Sequence, residues 1–285
     1  LRESLKLYFL NFIITFVSQI ISVSASLLNN IIVARMLGPQ GQGTMALVIS
    51  FAGIFATFGS LGLTWSNTYW VARKKTATDI IFSNSILFSL ILMFIILFFS
   101  RVKFINFIEP FIATKFFWIV LLAVPFLIFT QLNQSLLLGL QKIIPYNLIS
   151  IFRNLFLTVT FIFFIVILKM MVSSAVWVWF YVTVLVCCLS IYLVIKQLKN
   201  FKFHVNLQVF TNSIKIGIKA FLSSLIAFLL MRLDFFIVRY FKGTENVGYY
   251  SVAVLFTEIL LFIPQILGQL ILPKGSGQEP GSLIL

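Results

Sequence analysis

Residues 80–99 read IIFSNSILFSLILMFIILFF, twenty positions without a charge. A helix rises about 1.5 Å per residue and the hydrocarbon of a bilayer is about 30 Å thick, so this run can cross it. Its backbone amides must then be satisfied within the segment, which makes it a helix. Seven further apolar runs lie near residues 7–33, 44–64, 116–138, 146–168, 172–195, 213–238 and 247–271. Together they nearly fill the 285 residues. The expected fold class is an all-α membrane protein with about eight transmembrane helices.

The bulk composition agrees. Hydrophobic residues make up 61% of the chain and charged residues 10%, where a soluble domain carries about 25% charged. A net charge of +14 would suggest a nucleic-acid partner for a soluble protein. Here the basic residues flank apolar runs, so membrane lipids are the expected partners and nucleic acid is not. Sorted by alternate loops, twelve fall on one side, among them Arg73, Lys74, Lys75, Lys196 and Lys199, and seven on the other; Arg153 and Arg232, inside runs, complete the 21. The richer side is expected to be cytoplasmic, which puts the N-terminus inside. Trp65, Trp70, Trp118, Trp177 and Trp179 stand near run ends, where Trp prefers the headgroup level. The first run is too long for a signal-peptide core and reads as a retained span. Cys187 and Cys188 are adjacent and imply no disulfide framework. His204 has no metal-ligand companions, so no metal or other cofactor is expected.

The loop after the sixth run alternates apolar and polar residues from Phe201 to Val209, which predicts a linker lying on the membrane surface. It divides the chain into a six-helix lobe (1–198), a cytoplasmic linker (199–212), two helices of a second lobe (213–272) and an unstructured tail (273–285). A shift of 205 residues sets Asn29 to Gly62 against Asp234 to Leu267 without a gap. Ile32 then meets Ile237, Gly38 meets Gly243, Gly43 meets Gly248 and Phe51 meets Phe256. Six spans separate the copies, so both have the same orientation, as in parallel-repeat transporters. By that logic a second lobe also holds six helices, and the chain is expected to be a large N-terminal part of a longer transporter, inactive by itself.

The stretch ARMLGPQGQG, Ala34 to Gly43, resembles the "ARxLGPxGxG" turn of polysaccharide-type flippases. These form a branch of the multidrug/oligosaccharidyl-lipid/polysaccharide exporter superfamily that includes the O-antigen flippases. The segments Arg232 to Val238 and Gly243 to Ala253 are similar to the family's seventh and eighth helices, and Leu138 to Lys142 also fits. The resemblance runs from residue 1 to about 274 and is specific in the first turn and the span 7–8 segment. It implies two six-helix lobes around a cavity that opens alternately to each side. It also implies an undecaprenyl-pyrophosphate-linked oligosaccharide as substrate, carried from the inner to the outer leaflet of the bacterial cytoplasmic (inner) membrane. A polysaccharide polymerase is a candidate partner.

The turn at Gly38, Pro39 and Gly43 has the form G-x-x-G-x-G, but no strand precedes it, so it reads as a structural turn, like its counterpart at Gly243 and Gly248. No Walker motif or Ser-His-Asp set appears, and seven acidic residues offer little acid–base chemistry. No enzyme is expected. Ionisable residues inside spans are costly and point to function. Arg153 and Arg232 are candidates for binding pyrophosphate, since a guanidinium fork holds phosphate bidentately. Asp234 and Glu258 are expected to be coupling groups or partners of an arginine; the alternative for Arg232 is a structural pair with either. Ser18, Ser22, Ser26 and Asn29 form one helical stripe. Asn29, Gln131 and Asn133, with Gln134 beside them, are candidate ligands for sugar hydroxyls, or else plain helix-packing residues. Two rival functions stand beside the flippase: a cation-coupled exporter of drugs or metabolites, and a non-transporting scaffold for polysaccharide assembly.

Overall fold

The structure is a computed structural model that describes residues 2–73, 76, 78–99, 112–198 and 201–260. Lys74, Lys75, Lys199, the loop holding Arg101 and Lys103, the distal part of the expected eighth span and the tail lie outside the described residues. Six described helices are long and apolar enough to cross a membrane. The protein is therefore a multi-pass membrane protein.

The first helical run, Arg2–Ser60, holds two passes, because its backbone leaves the helix at Gly38 (φ 68°, ψ −178°). We call its halves α1 (2–37) and α2 (39–60). Glycine adopts that combination of angles almost alone. Pro39 follows as the first residue of α2, where its fixed φ suits a helix and its missing N–H costs nothing. A second interruption at Leu61 (φ 47°) and Gly62 (φ 74°) separates α2 from α3, Leu63–Ala72. The expected second span, ending at 64, thus continues after a bend. Then follow α4 (Thr78–Phe99), α5 (Thr114–Gly139), α6 (Ile143–Phe161, extended by a π-helical turn Ile162–Ile167), α7 (Val172–Gln197), α8 (Leu207–Lys242) and α9 (Thr244–Leu260).

Helix α5 is the centre of the bundle. Val120, Ala123, Ile128, Leu132 and Leu136 on it are fully buried. Between apolar helices in lipid, the driving forces are close packing and interhelical hydrogen bonds rather than escape from water. Both are present. Asn133 Nδ2 donates to Ser190 Oγ on α7 at 2.8 Å, Gln134 Nε2 to Ser150 Oγ on α6 at 3.2 Å, and Thr68 Oγ1 on α3 to the Ser135 carbonyl at 3.1 Å. Asn147 Nδ2 on α6 donates to Thr15 Oγ1 on α1 at 3.1 Å. Outward faces carry large exposed apolar side chains such as Phe94, Phe98 and Leu230, as a lipid-facing surface should.

The linker expected over 199–212 is shorter than its composition suggests, because helix α8 starts at Leu207. The Asn206 side chain caps it by accepting from the Val209 N–H at 3.0 Å. Residues 201–206 also pack on α4, with Lys202, Phe203 and His204 left exposed. Asn84 Oδ1 accepts from the Asn206 N–H and Asn84 Nδ2 donates to the Asn206 carbonyl, both at 3.1 Å. The His204 N–H donates to Ser83 Oγ at 3.1 Å, and the Phe201 ring meets Phe82 edge-on at 5.2 Å.

Gly243, between α8 and α9, repeats the backbone of Gly38, with φ 85° and ψ 174°. The two turns also touch. A Cβ on Gly43 would run into the Thr244 carbonyl, and a Cβ on Gly248 into the Pro39 carbonyl. Since 244 is 39 plus 205 and 248 is 43 plus 205, the two contacts exchange under the sequence repeat.

Core packing at α5 gives a direct test. Leu132→Ala, at a fully buried site, should lower stability by about 2–5 kcal/mol. Leu230→Ala, on an exposed face, should stay within about 0.5 kcal/mol. Denaturant unfolding in detergent reads the difference; equal losses would contradict the assignment of α5 as the core.

Candidate functional site

A cavity of about 360 Å³ lies among α1, α2, α5, α6, α7, α8 and α9. Its walls are mostly apolar, with Val33, Met45, Ile49, Leu127, Leu157 and Phe161 among them. Two arginines line it: Arg153 from α6 and Arg232 from α8. Both are half-buried. The Arg232 guanidinium carbon sits 5.5 Å from the centre of the Phe235 ring, a cation–π arrangement that holds the charge against the wall. Among the described residues no carboxylate lines the cavity. Two guanidiniums between low-dielectric walls make the space attractive to anions.

Asn29 and Gln131, both expected from sequence, line the same cavity. Asn29 is buried, and its Nδ2 donates to the Asn154 carbonyl at 3.3 Å, tying α1 to α6. Ser26 also reaches the cavity, while Ser18 and Ser22 of the same stripe are buried elsewhere. Asn133 and Gln134 do not line it; their amides are bonded to Ser190 and Ser150. Asp234 is not among the lining residues either. It accepts from the Tyr250 hydroxyl at 2.6 Å and from the Phe235 N–H at 2.8 Å, which fastens α8 to α9. The Glu258 side chain lies outside the described residues.

Three lining residues escape a reading of the sequence. Gln42 hides in the glycine turn, whose positions between glycines read as loop. In fact the turn is one residue long, so Gln42 already sits on helix α2 and is 2% exposed. Ser251 follows Gly248 by one helical turn and has no distinctive neighbour. Trp179, singled out only for its position near a run end, is buried in the cavity wall, while Trp177 faces outward. Neighbours two apart on a helix point in opposed directions, which separates their surroundings.

Close helix contacts flank the cavity at two places along α2. One barrier is the pair of turns at Gly43 and Gly248, backed by Leu47, Phe235 and Val247. The other lies about 28 Å further along α2, by helical rise over 19 residues. There a Cβ on Gly62 would strike the Gly217 carbonyl, and one on Gly217 would come within 2.7 Å of the Gly62 carbonyl oxygen. Phe58 meets Phe221 edge-on at 6.2 Å, Trp65 Nε1 donates to Ser224 Oγ at 2.9 Å, and the Phe228 ring lies on Gly53.

Residues 9–272 match the family model described as polysaccharide biosynthesis protein. No curated protein matches this sequence. Among solved structures, the MATE multidrug transporter DinF-BH superposes with a TM-score of 0.75, at 15% identity, over 96% of this chain and 66% of that one. An outward-facing multidrug resistance MATE family transporter of the MOP superfamily gives 0.66, at 18% identity, over 93% of this chain and 62% of that one. A MOP superfamily transporter from Pyrococcus furiosus gives 0.65, at 18% identity, over 94% and 63%. The fold is thus that of these transporters, of whose length the chain spans less than two thirds.

The glycine contacts predict a measurable effect. Gly248→Ala or Gly43→Ala should overpack the first barrier at a cost of about 1–3 kcal/mol, displacing the closed form roughly 5- to 150-fold. A single cysteine at Val247, fully buried now, should then react faster with a maleimide. Unchanged reactivity would show that the barrier tolerates a methyl group and that its closeness is not needed for closure.

Proposed function

The chain belongs to the polysaccharide biosynthesis protein family, and from that premise we propose that it binds the pyrophosphate of a polyprenyl-linked oligosaccharide and serves its passage across a bacterial cytoplasmic membrane. The observation that carries this reading is the convergence of Arg153 and Arg232 on one mostly apolar cavity. A pyrophosphate diester is an anion rich in acceptors and poor in donors, which suits two guanidinium forks. About 360 Å³ can take the pyrophosphate and an adjoining sugar, while a polyprenyl tail stays in lipid. A cationic drug would meet two like charges in the same space, which disfavours the exporter reading. The loop charges support a cytoplasmic N-terminus.

Transport requires access from each side in turn. The two barriers are separate sets of contacts at opposite ends of α2, so one can part while the other holds. Asp234 serves on this reading as a tie between α8 and α9 and not as a ligand. The sugar delivered to the far side would feed polymerising enzymes there.

Binding of farnesyl pyrophosphate to the 285-residue chain in lipid nanodiscs tests the proposal. Arg153→Gln and Arg232→Gln should each weaken it roughly 10- to 100-fold, as expected for charge-assisted bonds. Lysine at either position should restore part of the loss, since a point charge lacks the planar fork. Affinity unmoved by either glutamine would sink the reading.

A further inference from the structure

Gln42 joins three helices at the point where the cavity meets the first barrier. Its Nε2 donates to Asn30 Oδ1 on α1 at 2.8 Å and to Ser251 Oγ on α9 at 3.3 Å. Ser251 Oγ in turn donates at 2.8 Å to the carbonyl of Gly248, the residue packed against Pro39. Gln42, Asn30 and Ser251 all line the cavity. We infer that Gln42 is a latch: a hydroxyl group of the cavity ligand that bonds its carboxamide releases Ser251 and loosens the barrier at Gly43. The inference rests on the function proposed above and adds what the sugar does there.

Both N–H groups of Gln42 are in use, but Oε1 is buried without a partner among the described residues. Asn29, in the same wall, shows the same imbalance: its N–H is bonded to Asn154 and its Oδ1 has no partner among the described residues. Buried acceptors without donors are costly, so this wall favours a ligand that brings hydrogen-bond donors. Phosphate diester oxygens bring none. Sugar hydroxyls do. The cavity therefore has a donor part, the arginines, and an acceptor part, the two carboxamides, matching the two chemical halves of a sugar pyrophosphate.

Since Oε1 is covered, a hydroxyl reaches it as the carboxamide turns. The bond to Ser251 is the longer of the two that Gln42 donates, and it is the one that crosses to α9. When it breaks, the α2–α9 contact keeps the glycine contacts and the cluster of Leu47, Phe235 and Val247 but loses this polar tie. A carrier bearing sugar then loosens the barrier, and a bare polyprenyl pyrophosphate, held by the arginines alone, does not. The latch would prevent an empty carrier from crossing.

The test uses the whole chain with Cys187→Ala and Cys188→Ser, and Leu47→Cys with Val247→Cys as a disulfide reporter across the barrier. Oxidation rates are compared with farnesyl pyrophosphate and with farnesyl-pyrophosphoryl-N-acetylglucosamine, and binding of both is measured in the same samples. The sugar-bearing ligand should slow cross-linking roughly fivefold, the shift one hydrogen bond supports, and farnesyl pyrophosphate should leave it unchanged. Gln42→Leu should abolish the difference between the ligands, and Ser251→Ala, which leaves Gln42 in place, should do the same. Equal slowing by both bound ligands, or a difference that survives both variants, overturns the latch alone. Failure of farnesyl pyrophosphate to bind overturns the proposed function and the latch with it.

Discussion

Gly38 and Gly243 hold a backbone conformation that side chains other than hydrogen can scarcely enter, and the placement of the later contacts follows from that. Each lets a membrane helix turn back within a single residue, so the next helix begins at once with no loop between them. The returning helices, α2 and α9, therefore stand close enough for backbone to meet backbone at Gly43 and Gly248. Because the contacts exchange under the 205-residue repeat, one sequence device used twice produces a self-complementary seam. The cavity lies beside this seam and takes polar groups from both sides of it, Gln42 from one and Ser251 from the other.

Charge placement follows the same economy. A guanidinium within a span is expensive unless a ring, a dipole or a hydrated space receives it. Arg232 lies near the face of Phe235 and opens onto the cavity. The carboxylate two residues on, Asp234, is directed to a tyrosine of the next helix. Opposite charges that are neighbours in sequence thus do different work, one facing the cavity and one joining helices.

The helices were legible because an apolar run is a local property and the bilayer fixes the length it must have. Arg153 and Arg232 were legible because a charge in such a run stands out against its neighbours. The division of the amides was not. Asn29 and Asn133 look alike in sequence, yet one lines the cavity and the other binds Ser190 in the α5–α7 interface. Which way each points depends on the rotation of its helix within the bundle, a tertiary quantity. Gln42 was obscured by its glycine neighbours, which imitate a loop although the helix resumes at Pro39. Residues 201–206 hold a contact that their alternating pattern does not announce: Asn84 supplies backbone partners to Asn206 from inside the protein.

That side-chain bridge makes α8 a lever with a fixed foot. Asn206 is held to α4 at one end of a helix of 36 residues, about 54 Å long. Gly217 stands roughly 15 Å from the foot, and the turn at Gly243 is at the far tip. A tilt of about 5° about Asn206 would carry the tip nearly 5 Å but Gly217 little more than 1 Å, taking those helical lengths. Motion of one rigid rod would then open the distant barrier widely while scarcely disturbing the near one. In mechanical terms the two ends have unequal leverage, and the foot at Asn206 sets the ratio.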